Sequence, residues 1–145
     1  MDGSTITEEG ARDARFVALA GQLGYLNAAE LVRVHEAYEF ADAAHAGQTR
    51  HSGDPYITHP LAVAAQVAAW KLDAPALQAA LLHDVLEDCG VERTDLAARF
   101  GAQVADMVDG LTKLDKLRFS SREEGQAESL NAAVAAAILM YRAVL

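Results

Sequence analysis

A pair of ionisable residues, His83 and Asp84, interrupts a run of apolar side chains that would otherwise suit a protein core. Apolar residues fill positions 79–82 and 85–86 on either side, and two more carboxylates follow at 87–88. This pattern predicts a buried helix that carries charge. Burying such groups costs several kcal/mol or more unless they are paired or bound to a cation. We therefore expect a divalent metal ion at this helix.

The composition favours a helical fold. Hydrophobic residues make up 52% of the 145-residue chain, many of them alanine, whereas aromatic residues make up only 6%. This composition favours a helical packing of small and branched side chains over a sandwich of aromatic and β-branched strands. The chain also lacks an internal repeat and a convincing hairpin signal. We predict one all-α domain of about six or seven helices.

Turn residues and apolar spacing divide the first half of the chain. Residues 1–27 are predicted to form a flexible lead that contains a first helix over 11–24, and residues 28–145 to form the domain. A helix over 28–46 follows, with a glycine placed to end it. The polar segment 48–59 contains both glycine and proline and is predicted to be a loop.

Helix caps organise the second half. Pro60 lies in the first turn of a predicted helix, where its missing N–H does no harm. The remaining predicted segments are a helix from Asp73 to Gly90, a helix from Thr94 to Leu111 interrupted at Gly101, a charged connector over 113–119, and a last helix from a Ser121–Glu124 capping box to Leu145.

Charge and apolar patterning exclude several classes of partner. The net charge of −9 argues against a non-specific nucleic-acid surface, which needs many lysines and arginines. No segment approaches the roughly 18 consecutive apolar residues of a membrane span, and the N-terminus shows no signal-peptide pattern. A single cysteine fits a reducing compartment. We expect a soluble cytoplasmic protein that binds neither nucleic acid nor membrane. The candidate cations for an anionic small molecule are Arg50, Lys113, Lys116 and Arg118.

His59, His83 and Asp84 form the candidate metal site. Two nitrogen donors and one oxygen donor suit Mn²⁺, Fe²⁺ or Zn²⁺ better than Ca²⁺ or Mg²⁺. His59 alone is equally well explained as an ordinary helix-start residue, whereas the pair in the apolar helix favours a ligand role. Glu87 and Asp88 alone would be a solvated helix end. Beside the pair, they become candidates to position and deprotonate a metal-bound water.

Three segments in order resemble the N-terminal HD domain of the RelA/SpoT family of bifunctional (p)ppGpp synthetase/hydrolases. They are residues 44–60 (AHAGQTR through SGDPYITHP), 81–88 (LLHDVLED) and 111–117 (LTKLDKL). The resemblance extends over residues 28–131 and includes the spacing from His59 to His83. It implies an HD-domain helical bundle and a Mn²⁺-dependent removal of the 3′-pyrophosphate from guanosine tetra- or pentaphosphate, which gives GDP or GTP and pyrophosphate.

The resemblance also implies a role for each candidate residue. His59, His83 and Asp84 match the metal ligands, and the acidic pair Glu87 and Asp88 matches the residues that support water activation. The implied substrate contacts are Arg50, His51 and Ser52, which match the loop that cradles the nucleotide, and Lys113, which matches a basic residue of the family. His51 stands where the family often has lysine.

The family pattern continues with a segment that carries a fourth metal-ligand aspartate, and no counterpart of that segment precedes Leu145. The resemblance therefore implies a C-terminally incomplete domain that binds metal weakly and hydrolyses little or no (p)ppGpp by itself. It also implies adjoining synthetase and regulatory domains in a parent protein. Two alternatives stay open: a catalytically silent HD module that regulates an adjoining synthetase domain, and an HD phosphohydrolase for other nucleotides. The intact acidic pair favours hydrolysis, whereas the absent aspartate favours the silent module.

Overall fold

The all-α fold expected from the sequence is confirmed. A computed structural model describes residues 8–49, 53–119 and 127–144, with the backbone alone at 8–13, 87–88, 114–119, 127–132 and 143–144. Its helices are α1 (Glu8–Ala20), α2 (Ala28–Ala44), α3 (Thr58–Ala69), α4 (Ala74–Leu82), α5 (Val85–Asp88), α6 (Arg93–Phe100), α7 (Ala102–Phe119) and α8 (Ala127–Val144). In these ranges, extended pairing is limited to an isolated bridge between Thr49 and Pro55. None of the helices described is both long and apolar enough to cross a bilayer.

Helix α4 lies at the centre of the bundle and contacts α2, α3, α7 and α8. Its leucines, Leu77, Leu81 and Leu82, are completely buried, and its alanines are at most 1% exposed. Apart from Gln78, all the side chains of α4 are apolar, and such a helix is stable only inside a protein. The end of α4 therefore delivers the next residue, His83, into the interior.

Helix α1 adds an apolar face to this core. It begins at Glu8, earlier than the predicted start at residue 11, and contacts α2 and α3. Phe16 and Leu19 of α1 are buried in the common core. Helix α2 ends at Ala44, slightly before the predicted end at residue 46, and Gly47 takes a left-handed φ of 82° in the turn that follows.

Side-chain caps fix where α2 and α4 begin. The Asn27 side chain accepts a hydrogen bond from the Glu30 N–H at 2.8 Å, and the Glu30 carboxylate accepts one from the Asn27 N–H at 3.0 Å, which is a capping box. At α4, as predicted, the Asp73 carboxylate accepts a hydrogen bond from the Ala76 N–H at 3.2 Å. Asp73 also pairs with Arg142 of α8, so this cap ties the central helix to the last one.

The prediction of one helix from Asp73 to Gly90 is wrong, because the helix is broken at His83 and Asp84 into α4 and α5. The last carbonyls of a helix have no intrahelical donor, and a nearby histidine can supply one. Here the His83 ring approaches the Ala80 carbonyl oxygen at 2.7 Å through Nδ1. The His83 side chain thus competes with backbone N–H groups for the Ala80 carbonyl oxygen. Because of this break, the described residues form eight helices, one more than the upper end of the predicted range.

The predicted connector over 113–119 is also wrong, because these residues continue α7. The segment contains neither glycine nor proline, and Lys113 pairs with Asp109 one turn earlier at 3.0 Å, a spacing that supports a helix. The predicted interruption at Gly101 is confirmed, since this residue separates α6 from α7 with a φ of 94°. The Ser121–Glu124 capping box lies outside the described residues.

Two substitutions at Asp73 separate its cap from its ion pair. Asp73→Asn keeps a capping oxygen and loses the charge that faces Arg142, whereas Asp73→Ala loses both. We expect Asp73→Ala to lower the free energy of unfolding by about 1–2 kcal/mol, and Asp73→Asn by less than about 1 kcal/mol, because a partly exposed ion pair contributes little. Urea unfolding followed by circular dichroism measures both. Equal losses would mean that the ion pair, and not the cap, stabilises the start of α4.

Candidate metal centre

Two histidines meet where the start of α3 faces the end of α4. His59 lies in the first turn of α3, and His83 directly follows α4. The two helices are in contact, and their buried faces are rich in alanine, which lets helices approach closely. The Nε2 atoms of the two imidazoles are 3.1 Å apart.

Asp84 brings a carboxylate to the same point. It occupies the joint between α4 and α5, with φ −99° and ψ −7°. Its Oδ2 lies 3.3 Å from His59 Nε2 and 3.2 Å from His83 Nε2. The side chains of His59, His83 and Asp84 are 8%, 0% and 13% exposed, so three donor atoms share a small and largely buried space. We call these three residues the triad.

The hydrogen bond of His83 to the backbone fixes which of its nitrogens faces the triad. A carbonyl oxygen can only accept, so the contact with Ala80 requires the hydrogen to be on Nδ1. In the neutral ring, Nε2 then carries a lone pair that points at the other two donors. Backbone carbonyls orient metal-binding histidines in this way. His59 differs, because its buried Nδ1 has no hydrogen-bond partner among the described residues.

Asp84 is held in its ionised form. Burial alone would raise the pKa of this carboxyl. The charge of a protonated His83, and the hydrogen bonds that protonated His59 and His83 rings donate, outweigh burial and hold the pKa well below its usual value. Its ionised state therefore stabilises the fold above the usual pKa of an aspartate, and this contribution is lost as the pH falls through the lowered value. The triad therefore combines an ionised carboxylate with two imidazole rings.

The triad fits a divalent first-row metal ion. A cation with bonds of about 2.0–2.2 Å holds neighbouring donors about 2.9–3.5 Å apart, and the three donor atoms of the triad are 3.1–3.3 Å from one another. Two histidines and one carboxylate on one side of an ion leave its other positions free for substrate or water. In the part of the chain that the structure describes, no other group of His, Cys, Asp and Glu side chains has this geometry.

Tyr56 also belongs to this site, although sequence reasoning missed it. Its hydroxyl donates a hydrogen bond to Asp84 Oδ2 at 3.0 Å. The only available signal was its place three residues before His59, in a segment predicted to be an ordinary loop. Its ring packs against the His45 ring, with centroids 4.5 Å apart and an interplanar angle of 25°.

A cavity of about 290 Å³ opens beside these two rings. Its lining includes charged and polar side chains, namely Arg15, Asp42, His45, Gln48, Thr49 and Tyr56. A positive and a negative side chain together with hydrogen-bonding groups suit a polar ligand of modest size. Tyr56 therefore lies between this cavity, which its ring lines, and the triad, which its hydroxyl contacts.

The other predicted site residues are not brought to the triad by any described contact. Arg50, His51 and Ser52 lie outside the described residues. Glu87 and Asp88 form the end of α5, and their side chains are not described. Lys113 is exposed on α7, and its ammonium group pairs with Asp109. The roles assigned to these residues stay predictions.

Comparison with known proteins identifies relatives of this chain. Residues 37–145 match the HD domain family. The chain is similar to the guanosine-3′,5′-bis(diphosphate) 3′-pyrophosphohydrolase of Vibrio cholerae, with 50% identity over 121 residues, and to the bifunctional (p)ppGpp synthase/hydrolase SpoT of Escherichia coli K12, with 47% identity over 121 residues. It is also similar to the probable GTP pyrophosphokinase of Mycobacterium leprae, with 51% identity over 98 residues.

These matches cover most of this chain and a small part of each relative. The matched segment is 83% of this chain but 17% of the Vibrio and Escherichia proteins. For the Mycobacterium protein the shares are 68% and 12%. The names of the relatives therefore describe proteins several times longer than the region they share with this chain.

Removing one imidazole tests whether the triad binds metal. We expect His83→Ala to weaken Mn²⁺ binding by more than the 10–100-fold that is typical of losing a residue outside the ligand shell. Electron paramagnetic resonance of free Mn²⁺ gives the dissociation constant. His35→Ala, which removes a partly exposed histidine on α2, is the control. Equal Mn²⁺ affinity in the two variants would mean that the triad is not the metal site.

Proposed function

Because the chain belongs to the HD domain family, we propose that it is a metal-dependent hydrolase domain that removes the 3′-pyrophosphate from guanosine tetra- or pentaphosphate. The observation that carries the proposal is the buried triad, whose donor atoms are spaced as a divalent ion requires. The names of the Vibrio and Escherichia relatives suggest the substrate.

His59, His83 and Asp84 would hold the ion, and we propose Mn²⁺. A divalent cation there would polarise a phosphate oxygen and acidify a water molecule. The residues contribute orientation: the Ala80 carbonyl turns His83 so that Nε2 faces the triad. They also contribute charge, because Asp84 stays ionised. Burial of the imidazoles strengthens both effects by keeping bulk water away.

We propose that the acidic pair after the triad, Glu87 and Asp88, accepts the proton of the attacking water. Glu87 and Asp88 end α5, one turn after Asp84. We assign them to hold the attacking water and to accept its proton. The water oxygen then bonds to the phosphorus next to the 3′ oxygen, the bond between that phosphorus and the 3′ oxygen breaks, and the proton passes to the 3′ oxygen. The products are GDP or GTP and pyrophosphate.

The nucleotide would lie beside Tyr56, in the cavity of about 290 Å³. Thr49 lines this cavity and is followed in the chain by the predicted substrate contacts, Arg50, His51 and Ser52. Arginine suits phosphate recognition because its guanidinium forms two parallel hydrogen bonds. We propose that Lys113 of α7 adds positive charge for the phosphates, since α7 contacts α5.

A second candidate is a catalytically silent module that regulates an adjoining synthetase domain. The similarity to a protein named as a probable GTP pyrophosphokinase favours it. The two functions differ in what they require of the triad, because a silent module needs no ordered metal ligands. Adjoining synthetase and regulatory domains are part of both proposals, and the cytoplasmic location stays a prediction.

Amide substitutions of the acidic pair separate catalysis from binding. We expect the double variant Glu87→Gln, Asp88→Asn to hydrolyse guanosine tetraphosphate about 10²-fold or more slowly, the usual effect of losing a positioned general base. Its Mn²⁺ affinity should be nearly unchanged, because the triad is intact. Release of pyrophosphate measures the first quantity, and titration with Mn²⁺ measures the second.

The matched control is the double variant Glu36→Gln, Glu39→Gln, which removes the same charge from the exposed side of α2. It should retain the parental rate. Hydrolysis at the parental rate in the Glu87→Gln, Asp88→Asn variant would contradict the proposed mechanism. A parental chain that binds Mn²⁺ and nucleotide without releasing pyrophosphate would favour the silent module.

A further inference from the structure

We propose that Tyr56 is a positioning residue for the metal centre, acting through its hydrogen bond to Asp84; this inference rests on the proposed function. Three groups approach the same carboxylate oxygen. Oδ2 of Asp84 is 3.3 Å from His59 Nε2, 3.2 Å from His83 Nε2 and 3.0 Å from the Tyr56 hydroxyl. A carboxylate oxygen has two lone pairs, so it can accept from tyrosine while it faces a cation.

Asp84 needs such support because of where it lies. It occupies the joint between two helices, and its side chain makes no capping hydrogen bond to α5. The orientation of the Asp84 carboxylate therefore depends on its contacts with other side chains. The two imidazoles lie on the side where an ion would bind. Among the described residues, Tyr56 also hydrogen-bonds the Asp84 carboxylate, and it is not one of the three proposed metal ligands.

The backbone of Tyr56 is itself well anchored. Its N–H donates to the Gln48 carbonyl oxygen at 3.0 Å, and its own carbonyl accepts from the His59 N–H at 3.0 Å. The second bond ties the tyrosine directly to a triad residue. A tyrosine that is held at both ends loses little freedom when its hydroxyl binds Asp84, so the hydrogen bond orients the carboxylate effectively.

The ring of Tyr56 is anchored as well. It stacks on His45, which is 3% exposed, and lies edge-on to His59 with a centroid distance of 5.9 Å. His45 in turn contacts the Gln48 side chain at 3.2 Å and Cys89 Sγ at 3.3 Å through Nδ1. These contacts join the segment before α3 to the residue just after α5. The Tyr56 ring is thus held directly by His45 and His59, and His45 is held by Gln48 and Cys89.

Loss of a residue that hydrogen-bonds to a metal ligand typically weakens metal affinity by about 10–100-fold. Tyr56→Phe removes the hydroxyl and keeps the ring that packs on His45. We expect its Mn²⁺ dissociation constant to rise by about 10-fold. The control Tyr25→Phe removes a hydroxyl of the same kind, which donates to the Leu72 carbonyl at 2.6 Å, and should leave the dissociation constant unchanged.

The experiment titrates the full chain and both variants with Mn²⁺ and follows free Mn²⁺ by electron paramagnetic resonance. Melting temperatures without Mn²⁺ report any general loss of packing, and the increase on adding Mn²⁺ reports binding independently. A weaker Mn²⁺ affinity in Tyr56→Phe, with Tyr25→Phe unaffected, supports the inference. Equal dissociation constants in all three proteins would overturn it and leave the proposed function standing. Absence of Mn²⁺ binding by the unaltered chain would overturn both.

Discussion

The rest of this structure depends on the close approach of two imidazoles and an ionised carboxylate inside a helical bundle. Three polar groups whose nearest atoms are 3.1–3.3 Å apart, in a largely buried space, are costly to assemble. They attract one another only in part, because the two imidazole nitrogens face each other as well as the carboxylate. A cation at their centre would satisfy all three at once. The triad is therefore better explained as a binding site than as a stabilising ion pair.

The surrounding helices are arranged to make this approach feasible. The central helix α4 is buried on every side, so it carries His83 into the interior without exposing apolar surface. It stops there, because the histidine side chain bonds the Ala80 carbonyl and the chain turns at Asp84. The His83 ring and the Asp84 carboxylate, on consecutive residues of this joint, both approach His59 Nε2.

Much of this arrangement could be predicted from the sequence. Alanine-rich composition and capping residues such as Asp73 indicated the helices, and the polar pair in an apolar run indicated the triad. The break at His83 could not be predicted, because histidine also occurs within continuous helices. The break depends on the hydrogen bond from the His83 side chain to the Ala80 carbonyl oxygen, which the sequence does not reveal. The role of Tyr56 was hidden for a related reason. Its hydroxyl meets Asp84 through a contact across 28 positions of the chain, which no local pattern reveals.

The most direct test of the account is the position of bound manganese. Crystals of the chain grown with MnCl₂ would be measured at the manganese absorption edge, where anomalous scattering locates the ion independently of any structural expectation. The account predicts one strong peak about 2.0–2.3 Å from His59 Nε2, His83 Nε2 and Asp84 Oδ2. A peak bound by other residues, or none at the triad when Mn²⁺ is saturating, would contradict it.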